Sequence, residues 1–301
     1  MIRPWLLGLG LLAARAAAQV TPVPAPPSLP DPLAAPRPRL IDLPSDLSPR
    51  VVALGTDEAA NRHGDDIYQP QVGQPGKDVI WVPTPEPLIR AMLAAARVTP
   101  DDFVVDLGSG DGRIPIIAAR EFGARAHGID YNGDMVALAR RLADRQGLRG
   151  KVSFQRGDIF ESDFSTASVV TLYLLPSLNL KLRPQLLALR PGTRVLSHAF
   201  DMGDWEPDQV IRTDVATGYL WFVPARVEGR WAFEVQGQRF AATLTQKFQN
   251  LSARGGPLTS GRLKGNDITL ALANGRELKG RVLGDDRMVG PGWSASRIAP
   301  R

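Results

Sequence analysis

Apolar and polar positions divide the chain into regions of different character. Residues 1–18 contain a short apolar run followed by small residues, and residues 19–50 are rich in proline without periodic apolar spacing. From residue 84 onward, apolar positions at helical spacing alternate with short continuous apolar runs. From about residue 226, apolar and polar residues alternate one by one. Each pattern predicts a different kind of structure.

The middle region predicts helices and strands in alternation. Thr84 is expected to cap the first helix, with Pro85 at its first position. The further elements expected are strand 103–107, helix 113–122, strand 125–129, helix 135–146, strand 152–156, strand 169–175, helix 179–189 and strand 194–197. Strands that are apolar throughout indicate a parallel sheet with helices on both faces. The segment GYLWFVPARV is a candidate for its last strand.

The C-terminal region contains no helical pattern. The segments GRWAFEVQG, QRFAATLTQKF, DITLAL and RELKGRVLG alternate apolar with polar residues and are separated by Gly or Asn-Gly turns. This alternation predicts a small antiparallel all-β domain, a barrel or a sandwich, with one face in water. We therefore expect an α/β domain over residues 51–225 and a β domain over residues 226–301.

The N-terminal layout is typical of a secretory signal peptide. Arg3 precedes an apolar run over residues 5–12, and Ala16 and Ala18 are small, so cleavage is expected after Ala18. The apolar run is shorter than the roughly 20 residues that a bilayer span needs. We expect an exported protein, periplasmic or secreted, with a proline-rich disordered linker over 19–50. An uncleaved membrane anchor and a mitochondrial transit peptide are the alternatives.

Composition excludes several classes of chemistry. The absence of cysteine excludes disulfides, a thiolate nucleophile and a cysteine-ligated metal. The formal net charge of +5 falls to +3 if Arg3 and Arg15 are removed with the signal peptide. This charge is weak, and no basic stripe is interleaved with aromatic residues, so no nucleic-acid partner is expected. No metal is expected either.

The sequence DLGSGDG lies between the first predicted strand and a helix. Gly108, Gly110 and Gly112 have G-x-G-x-G spacing, unlike the G-x-G-x-x-G of dinucleotide-binding folds. Phosphate-binding loops attract an anion with backbone amides and a helix N-terminus, whereas Asp106 and Asp111 add negative charge to this turn. The loop therefore favours a ligand with cationic groups. S-adenosylmethionine, which carries a sulfonium and an ammonium and no phosphate, has this chemistry.

Two further acids follow the next two strands. Asp130 lies 24 residues after Asp106, where a carboxylate can accept both ribose hydroxyls. Asp158 can accept from an adenine amino group. Three of the acids also have a local alternative, since Asp111 could cap a helix and Asp130 and Asp158 could form turns. Acids at three successive strand ends nevertheless favour a ligand site, because parallel sheets bind ligands at that edge.

Residues 103–160 resemble a class I, seven-stranded S-adenosylmethionine-dependent methyltransferase. The segments WVPTPEPLIRAML, VVDLGSGDGRIPIIAA, SFQRGDIF, RPGTRVLSHAF and DWEPD, in that order, are similar to small protein-lysine methyltransferases acting on the adenine nucleotide translocase and on the c subunit of ATP synthase, and to bacterial relatives. The similarity covers about residues 79–223. It implies an α/β, Rossmann-like seven-stranded sheet with S-adenosyl-L-methionine as cofactor. The linker and the β domain lie outside it.

The resemblance also implies roles for individual residues. The loop over 106–112 would cradle the methionine half of the cofactor, Asp130 the ribose and Asp158 the adenine, while residues 83–85 close over it. The expected cofactor-binding residues are Thr84, Asp106, Gly108, Ser109, Gly110, Asp111, Gly112, Asp130, Tyr131, Asp158 and Ile159.

Methyl transfer requires a lone pair held about 3 to 3.5 Å from the methyl carbon, with water excluded. Tyr173 and His198, at the ends of the fourth and fifth strands, are the catalytic candidates. Asp201 and Trp205 are candidates for an acceptor channel, with a surface loop as the alternative. Residues 172–176 lack the D/N-P-P-Y signature, which argues against nucleobase or glutamine methylation.

We therefore expect N-methylation of a protein lysine or another amine, with an acceptor such as a membrane or envelope protein. The alternatives are an exported binding module that retains the methyltransferase fold, and a small-molecule methyltransferase.

Overall fold

The computed structural model describes residues 63–78 and 80–299. The predicted signal peptide over 1–18 and the predicted linker over 19–50 lie outside these residues. The described residues belong to one compact unit. None of the helices in the described ranges combines the length and the hydropathy needed to cross a bilayer.

The first part of the described chain is an α/β sheet structure. Its helices are α1 (Glu86–Ala95), α2 (Arg113–Phe122), α3 (Gly133–Arg145) and α4 (Pro176–Leu187). Its strands are β1 (Phe103–Leu107), β2 (Arg125–Asp130), β3 (Val152–Arg156), β4 (Val169–Leu172), β5 (Arg194–His198), β6 (Gln209–Arg212) and β7 (Thr217–Phe222). Over these residues the strand order is β3-β2-β1-β4-β5-β7-β6. The expected seven-stranded, Rossmann-like sheet is confirmed.

Helices cover both faces of this sheet. Val104 and Val105 are consecutive in β1 and therefore point to opposite faces. Val104 packs with the buried residues of α1 and α2, whereas Val105 packs with the buried residues of α4. The continuous apolar strands of the sequence are explained by this double burial.

The strand order places a binding crevice at one edge of the sheet. Strands β1 to β5 are parallel to one another, so their carboxyl ends share an edge. The order reverses between β1 and β4, which are adjacent in space. Ligands of open parallel sheets bind at this kind of switch point.

Several element boundaries differ from the sequence prediction, and three of the differences have clear local reasons. Strand β4 ends at Leu172 rather than residue 175, because Pro176 begins α4. Helix α3 begins at Gly133, where the side chain of Asn132 accepts hydrogen bonds from two backbone amides of the first turn. Thr84 does not cap α1, because Pro85 occupies the cap position without a side-chain hydrogen bond.

The prediction of a parallel sheet does not hold for the last two strands, β6 and β7. Strand β7 is the predicted last strand, but it runs antiparallel to both β5 and β6. Strand β6 has four residues and was not predicted. A strand this short carries too few alternations to stand out in the sequence.

The C-terminal part is a closed barrel, which decides between the two predicted architectures. Its strands are β8 (Gly229–Val235), β9 (Gln238–Lys247), β10 (Asn250–Arg254), β11 (Leu258–Lys264), β12 (Asp267–Leu272), β13 (Glu277–Leu283), β14 (Arg287–Gly290) and β15 (Trp293–Arg297). Strands β15 and β8 pair and close the barrel. Alternate residues, such as Trp231 and Phe233 in β8, form its interior. Closure leaves no unpaired strand edge.

The barrel contacts the sheet through a buried aromatic junction. Trp205 and Trp221 are fully buried, and the ring of Phe248 from the β9–β10 turn stacks on Trp205 at 6.1 Å. Gln249 is also fully buried, and its side-chain amide donates to the carbonyl of Glu206 at 2.8 Å. Phe248 has a φ of 53°, which is costly for a non-glycine residue. This contact is therefore part of the folded core.

Candidate active site

A cavity of about 670 Å³ lies at the carboxyl edge of the parallel strands. Of the predicted cofactor-binding residues, the following line it: Thr84, Asp106, Gly108, Ser109, Gly110, Asp111, Asp130, Tyr131, Asp158 and Ile159. Gly112 does not line it and instead precedes α2 as its cap residue. Residues separated by more than 70 positions are thus brought to one site, as the strand-end argument predicted.

The glycine loop needs its glycines for conformation and for space. Gly108, Gly110 and Gly112 have φ values of 80°, 54° and 78°, in the left-handed region that favours glycine. A Cβ atom on Gly110 would lie 2.5 Å from Nε1 of Trp81. The backbone of the loop therefore lies close to the cavity, and a larger residue at Gly110 would clash with Trp81.

Asp106 is the most deeply buried carboxyl group of the cavity. It accepts a hydrogen bond from the hydroxyl of Thr171 on β4. Burial, with a smaller contribution from Asp130 and Asp111, raises the pKa of Asp106 to about 7. Asp106 is therefore divided between its neutral and charged forms at neutral pH.

Asp130 connects the end of β2 with the glycine loop. One carboxylate oxygen accepts from the amide of Gly110 at 2.7 Å, and the other accepts from the amide of Asn132 at 2.8 Å. Burial raises the pKa of Asp130, and these two hydrogen bonds oppose the rise. Each oxygen keeps a further lone pair, so the carboxylate can still accept from ligand hydroxyls.

Two cations reduce the negative charge that the sequence suggested for this site. Arg113 forms a two-pronged contact with Asp111, with the closest atoms 2.7 Å apart. Lys77 forms an ion pair with Asp158, which lowers the pKa of that carboxyl. The expectation that the acids alone repel a phosphate is therefore too simple. Neither ion pair was predicted. Lys77 and Asp158 are 81 positions apart, so their pair depends on packing, whereas Arg113 lies only two positions after Asp111 and its pair is local.

The residues before α1 cover the cavity over a longer stretch than residues 83–85, which the resemblance implied. Residues 74–78 and 80–84 line it, and a single β-bridge joins Pro75 to Ile80. Asp65 anchors this segment through an ion pair with Arg141 of α3 at 2.7 Å. The Trp81 ring lies edge-on to the ring of His63 at 5.4 Å. The polar residues from 63 onward thus form an ordered cover.

The two catalytic candidates are adjacent, but only one faces the cavity. Tyr173 lines it, and the His198 ring lies against the Tyr173 ring with centroids 3.8 Å apart. Nδ1 of His198 lies 3.1 Å from the hydroxyl of Thr84. Burial lowers the pKa of His198 to about 4, so its ring is neutral at physiological pH. Phe200, which follows a sharp turn at Ala199, lines the cavity instead.

Asp201 and Trp205 do not form an acceptor channel. Trp205 is buried in the core against Trp221, so the surface-loop alternative is also wrong for this residue. Asp201 is exposed, and its carboxylate accepts from the amide of Gly203. Neither lies among the cavity residues.

The cavity fits a cofactor with a polar and an apolar part. The hydroxyl of Ser109 is buried, and it has no hydrogen-bond partner within the described ranges. Asp106 and Asp130 provide acceptors beside it, while Ile159 and Met135 provide apolar surface. Orphaned polar groups in a cavity of this size indicate a place for ligand atoms.

Comparisons with known proteins agree with this geometry. A family model described as the ANTKMT methyltransferase domain matches residues 106–209. A protein-lysine N-methyltransferase of Saccharolobus islandicus (strain REY15A) is 44% identical over 138 residues, covering 45% of this chain and 86% of that protein. The adenine nucleotide translocase lysine N-methyltransferase of Mus musculus is 39% identical over 125 residues, covering 41% of this chain and 54% of that protein.

A crystal structure of an RNA methyltransferase from Salinibacter ruber in complex with S-adenosyl-L-homocysteine is 52% identical. It covers 48% of this chain and 96% of that one, with a TM-score of 0.48. The chain spans about half the length of two mouse relatives, 54% for the translocase enzyme and 50% for a lysine N-methyltransferase named for the c subunit of ATP synthase. The family model ends at residue 209, before the barrel begins.

The fold and the cavity are those of a methyltransferase that uses S-adenosylmethionine as its methyl donor. Within this class, the chain belongs to the protein-lysine N-methyltransferases. The family and the cofactor predicted from the sequence are both confirmed.

Proposed function

We propose that this protein methylates the ε-amine of a lysine side chain in a membrane or envelope protein. The observation that carries the proposal is one cavity that brings the carboxylates of Asp106 and Asp130 together with the rings of Tyr173 and Phe200. Two mouse relatives are named for the adenine nucleotide translocase and for the c subunit of ATP synthase, which are membrane proteins. The acceptor proposed here is of the same general kind.

The cofactor supplies a methyl group bound to a sulfonium. When a neutral amine attacks this methyl carbon in line, the carbon–sulfur bond breaks and its electron pair stays on sulfur. The residues of the chain have to hold that amine in its neutral form and exclude water from the site, and the proton of the methylated ammonium product passes to solvent on release. Leu175 and Leu178 give the cavity apolar surface near Tyr173. Apolar surroundings lower the pKa of a lysine, because they disfavour the ammonium form. The hydroxyl of Tyr173 can orient the amine.

His198 has a positioning role in this proposal. Its ring packs against the Tyr173 ring at a tilt of 37°, and its Nδ1 atom lies 3.1 Å from the hydroxyl of Thr84. A histidine with a pKa of about 4 is a weak base at neutral pH. We therefore assign it the task of fixing the Tyr173 ring, rather than that of accepting the amine proton.

The test is transfer of a labelled methyl group from S-adenosylmethionine into separated membrane, soluble-protein and RNA fractions of the protein's own cells. We expect label in a membrane or envelope protein, and methyl-lysine after acid hydrolysis of that protein. Asp130→Ala is the matched loss-of-binding variant. Removing its hydrogen bonds should cost about 1.5 to 3 kcal/mol, or roughly ten- to a hundredfold in cofactor affinity.

Three results would contradict the proposal. Label in RNA would identify a different acceptor class, and label in a soluble small amine would identify a small-molecule methyltransferase. Calorimetric binding of S-adenosylmethionine without transfer to any fraction would favour a binding module that retains the fold.

Export to the envelope is part of the same proposal. It is supported by the cation, apolar run and small residues of the first 18 positions. N-terminal sequencing of the protein isolated from its own cells should give a chain that starts at Gln19. A chain that retains Met1 and fractionates with the membrane would favour the uncleaved anchor.

A further inference from the structure

A second cavity, of about 690 Å³, lies away from the methyl-transfer site. Its walls come from the end of α1, the loop over 190–194 before β5, and the turn over 264–267 between β11 and β12. Arg194 is the first residue of β5, so this cavity lies at the amino edge of the parallel strands. The cofactor cavity lies at the opposite, carboxyl edge.

The two loops approach each other too closely for side chains at their tips. A Cβ atom on Gly265 would lie 2.9 Å from the Cα atom of Gly192. The amide of Ala225 donates to the carbonyl of Gly265 at 2.9 Å, and the side chain of Asn266 donates to the carbonyl of Pro191 at 3.5 Å. These contacts join the barrel to the sheet at the cavity wall, so its shape is set by the fold.

Cations dominate the wall of this second cavity. Its charged lining residues are Arg97, Arg190, Arg194, Lys264, Arg281 and a single carboxylate, Asp267. Arg194 forms an ion pair with Asp102, and Arg281 lies 3.8 Å from Asp267. In the described part of the chain, Arg97, Arg190 and Lys264 have no carboxylate within 4.0 Å. Asp102, Asp208 and Asp267 offset part of this positive charge, but the five lining cations outnumber them, and such an excess attracts an anion.

The wall also offers surface for an organic group. Nζ of Lys264 lies 4.5 Å from the centroid of the Phe222 ring, and Pro191 and Ala95 extend the apolar surface. The volume lies within the range of about 300 to 1,000 Å³ that is common for small-molecule sites. The guanidinium group of an arginine can donate two parallel hydrogen bonds to two oxygens of one phosphate.

The distribution of charge along the chain also favours an anionic ligand at this cavity. Residues 226–299 carry twelve Lys or Arg and six Asp or Glu, a formal net charge of +6. Residues 63–225 carry seventeen Lys or Arg and twenty Asp or Glu, a formal net charge of −3. The barrel therefore contributes most of the positive field at the junction.

We propose that the second cavity binds a phosphate-bearing organic anion of about nucleotide size. The ligand carries two or more negative charges, which Arg190, Lys264 and Arg281 bind, and its organic part lies against Phe222. The same phosphate chemistry is present in free phosphorylated molecules and in anionic lipid headgroups. The site is independent of the methyl-transfer reaction, since S-adenosylmethionine has no phosphate.

The test measures binding of inorganic pyrophosphate to the full chain by titration calorimetry at low salt, in the presence of saturating S-adenosylhomocysteine. The double variant Lys264→Ala/Arg281→Ala should weaken binding at least tenfold, because each cation makes charge-assisted hydrogen bonds. Arg230→Ala/Arg254→Ala removes the same charge from exposed barrel positions outside the cavity and should change binding less than threefold. Circular dichroism and thermal melting establish that each variant is folded.

A second arm distinguishes the two sources of phosphate. If the protein sediments with phosphatidylglycerol vesicles and pyrophosphate releases it from them, the site binds a lipid headgroup. If the protein binds pyrophosphate but not the vesicles, the site binds a free phosphorylated molecule. The proposal is overturned if neither probe binds, or if both double variants lose affinity equally. Competition between pyrophosphate and S-adenosylhomocysteine would also overturn it, because the anion would then occupy the cofactor cavity.

Discussion

At the scale of single residues, Asp106 links cofactor binding to stability. Its pKa is raised to about 7, mainly by burial. A cationic ligand favours the charged carboxylate, whereas the empty fold favours the neutral acid. Stability from the neutral form is fully present below the ordinary pKa of 3.8 and is lost as the pH rises through 7. Binding and stability therefore change in opposite directions with pH.

Asp106→Asn tests this opposition. The unaltered protein should bind S-adenosylmethionine more weakly as the pH falls from 8 to 6, since Asp106 takes up a proton with a pKa of about 7. Asp106→Asn should bind roughly tenfold more weakly at pH 8, lose this part of the pH dependence, and unfold at higher urea than the unaltered protein. Asp101→Asn, at an exposed position, is the control. The assignment fails if the variant keeps the original pH slope.

At the scale of elements, the β9–β10 turn supports the loop that carries Phe200. Phe248 stacks on Trp205, and Arg183 of α4 lies over the Phe248 ring at 5.2 Å. Arg183 also donates to the carbonyl of Met202 in the same loop at 2.7 Å. Packed cores transmit small displacements, because few voids absorb them. The barrel therefore supports a wall of the cavity where the acceptor is proposed to bind.

Phe248→Ala should affect the acceptor more than the cofactor. We expect KM for the protein acceptor to rise by roughly tenfold, because small displacements of reacting groups are costly, while the Kd for S-adenosylhomocysteine changes little. Phe240→Ala removes a barrel aromatic that stacks on Phe233 and not on the sheet, and it should leave KM unchanged. Equal effects of the two variants on KM would show a general loss of barrel stability instead.

At the scale of the whole molecule, the sheet and the barrel share buried surface. Trp205 and Trp221 are fully buried, and the amide of Ala225 bonds to the β11–β12 turn. Parts that share a core and backbone hydrogen bonds unfold together. The barrel is thus joined to the sheet as one cooperative structure.

Calorimetry can measure this cooperativity. The full chain should melt in one transition, with equal calorimetric and van't Hoff enthalpies. A chain that ends at residue 225 exposes the Trp205 and Phe222 surfaces, and its Tm should fall by several degrees. Two separate transitions in the full chain, with the first unchanged by the deletion, would show that the two parts are independent.

The sequence by itself determined most elements of the sheet, the all-β character of the C-terminal part and much of the cofactor site. A strand that is buried on both faces is apolar throughout, whereas a strand that is buried on one face alternates apolar with polar residues. Both patterns can therefore be recognised in short segments of the sequence. The acids at positions 106, 130 and 158 could be placed together because parallel strands end at a common edge. The same reasoning brought Tyr173 to the cavity.

Only the tertiary structure decided which of these charges are neutralised and how the two parts join. Lys77 and Asp158 are 81 residues apart, and their ion pair leaves no periodic signal. The cover formed by residues 63–78 and 80–84, the reversal of β7 and the closure of the barrel depend on partners that packing selects. The loop DLGSGDG and its acids are local features, whereas the burial that raises the pKa of Asp106 comes from packing with distant parts of the chain.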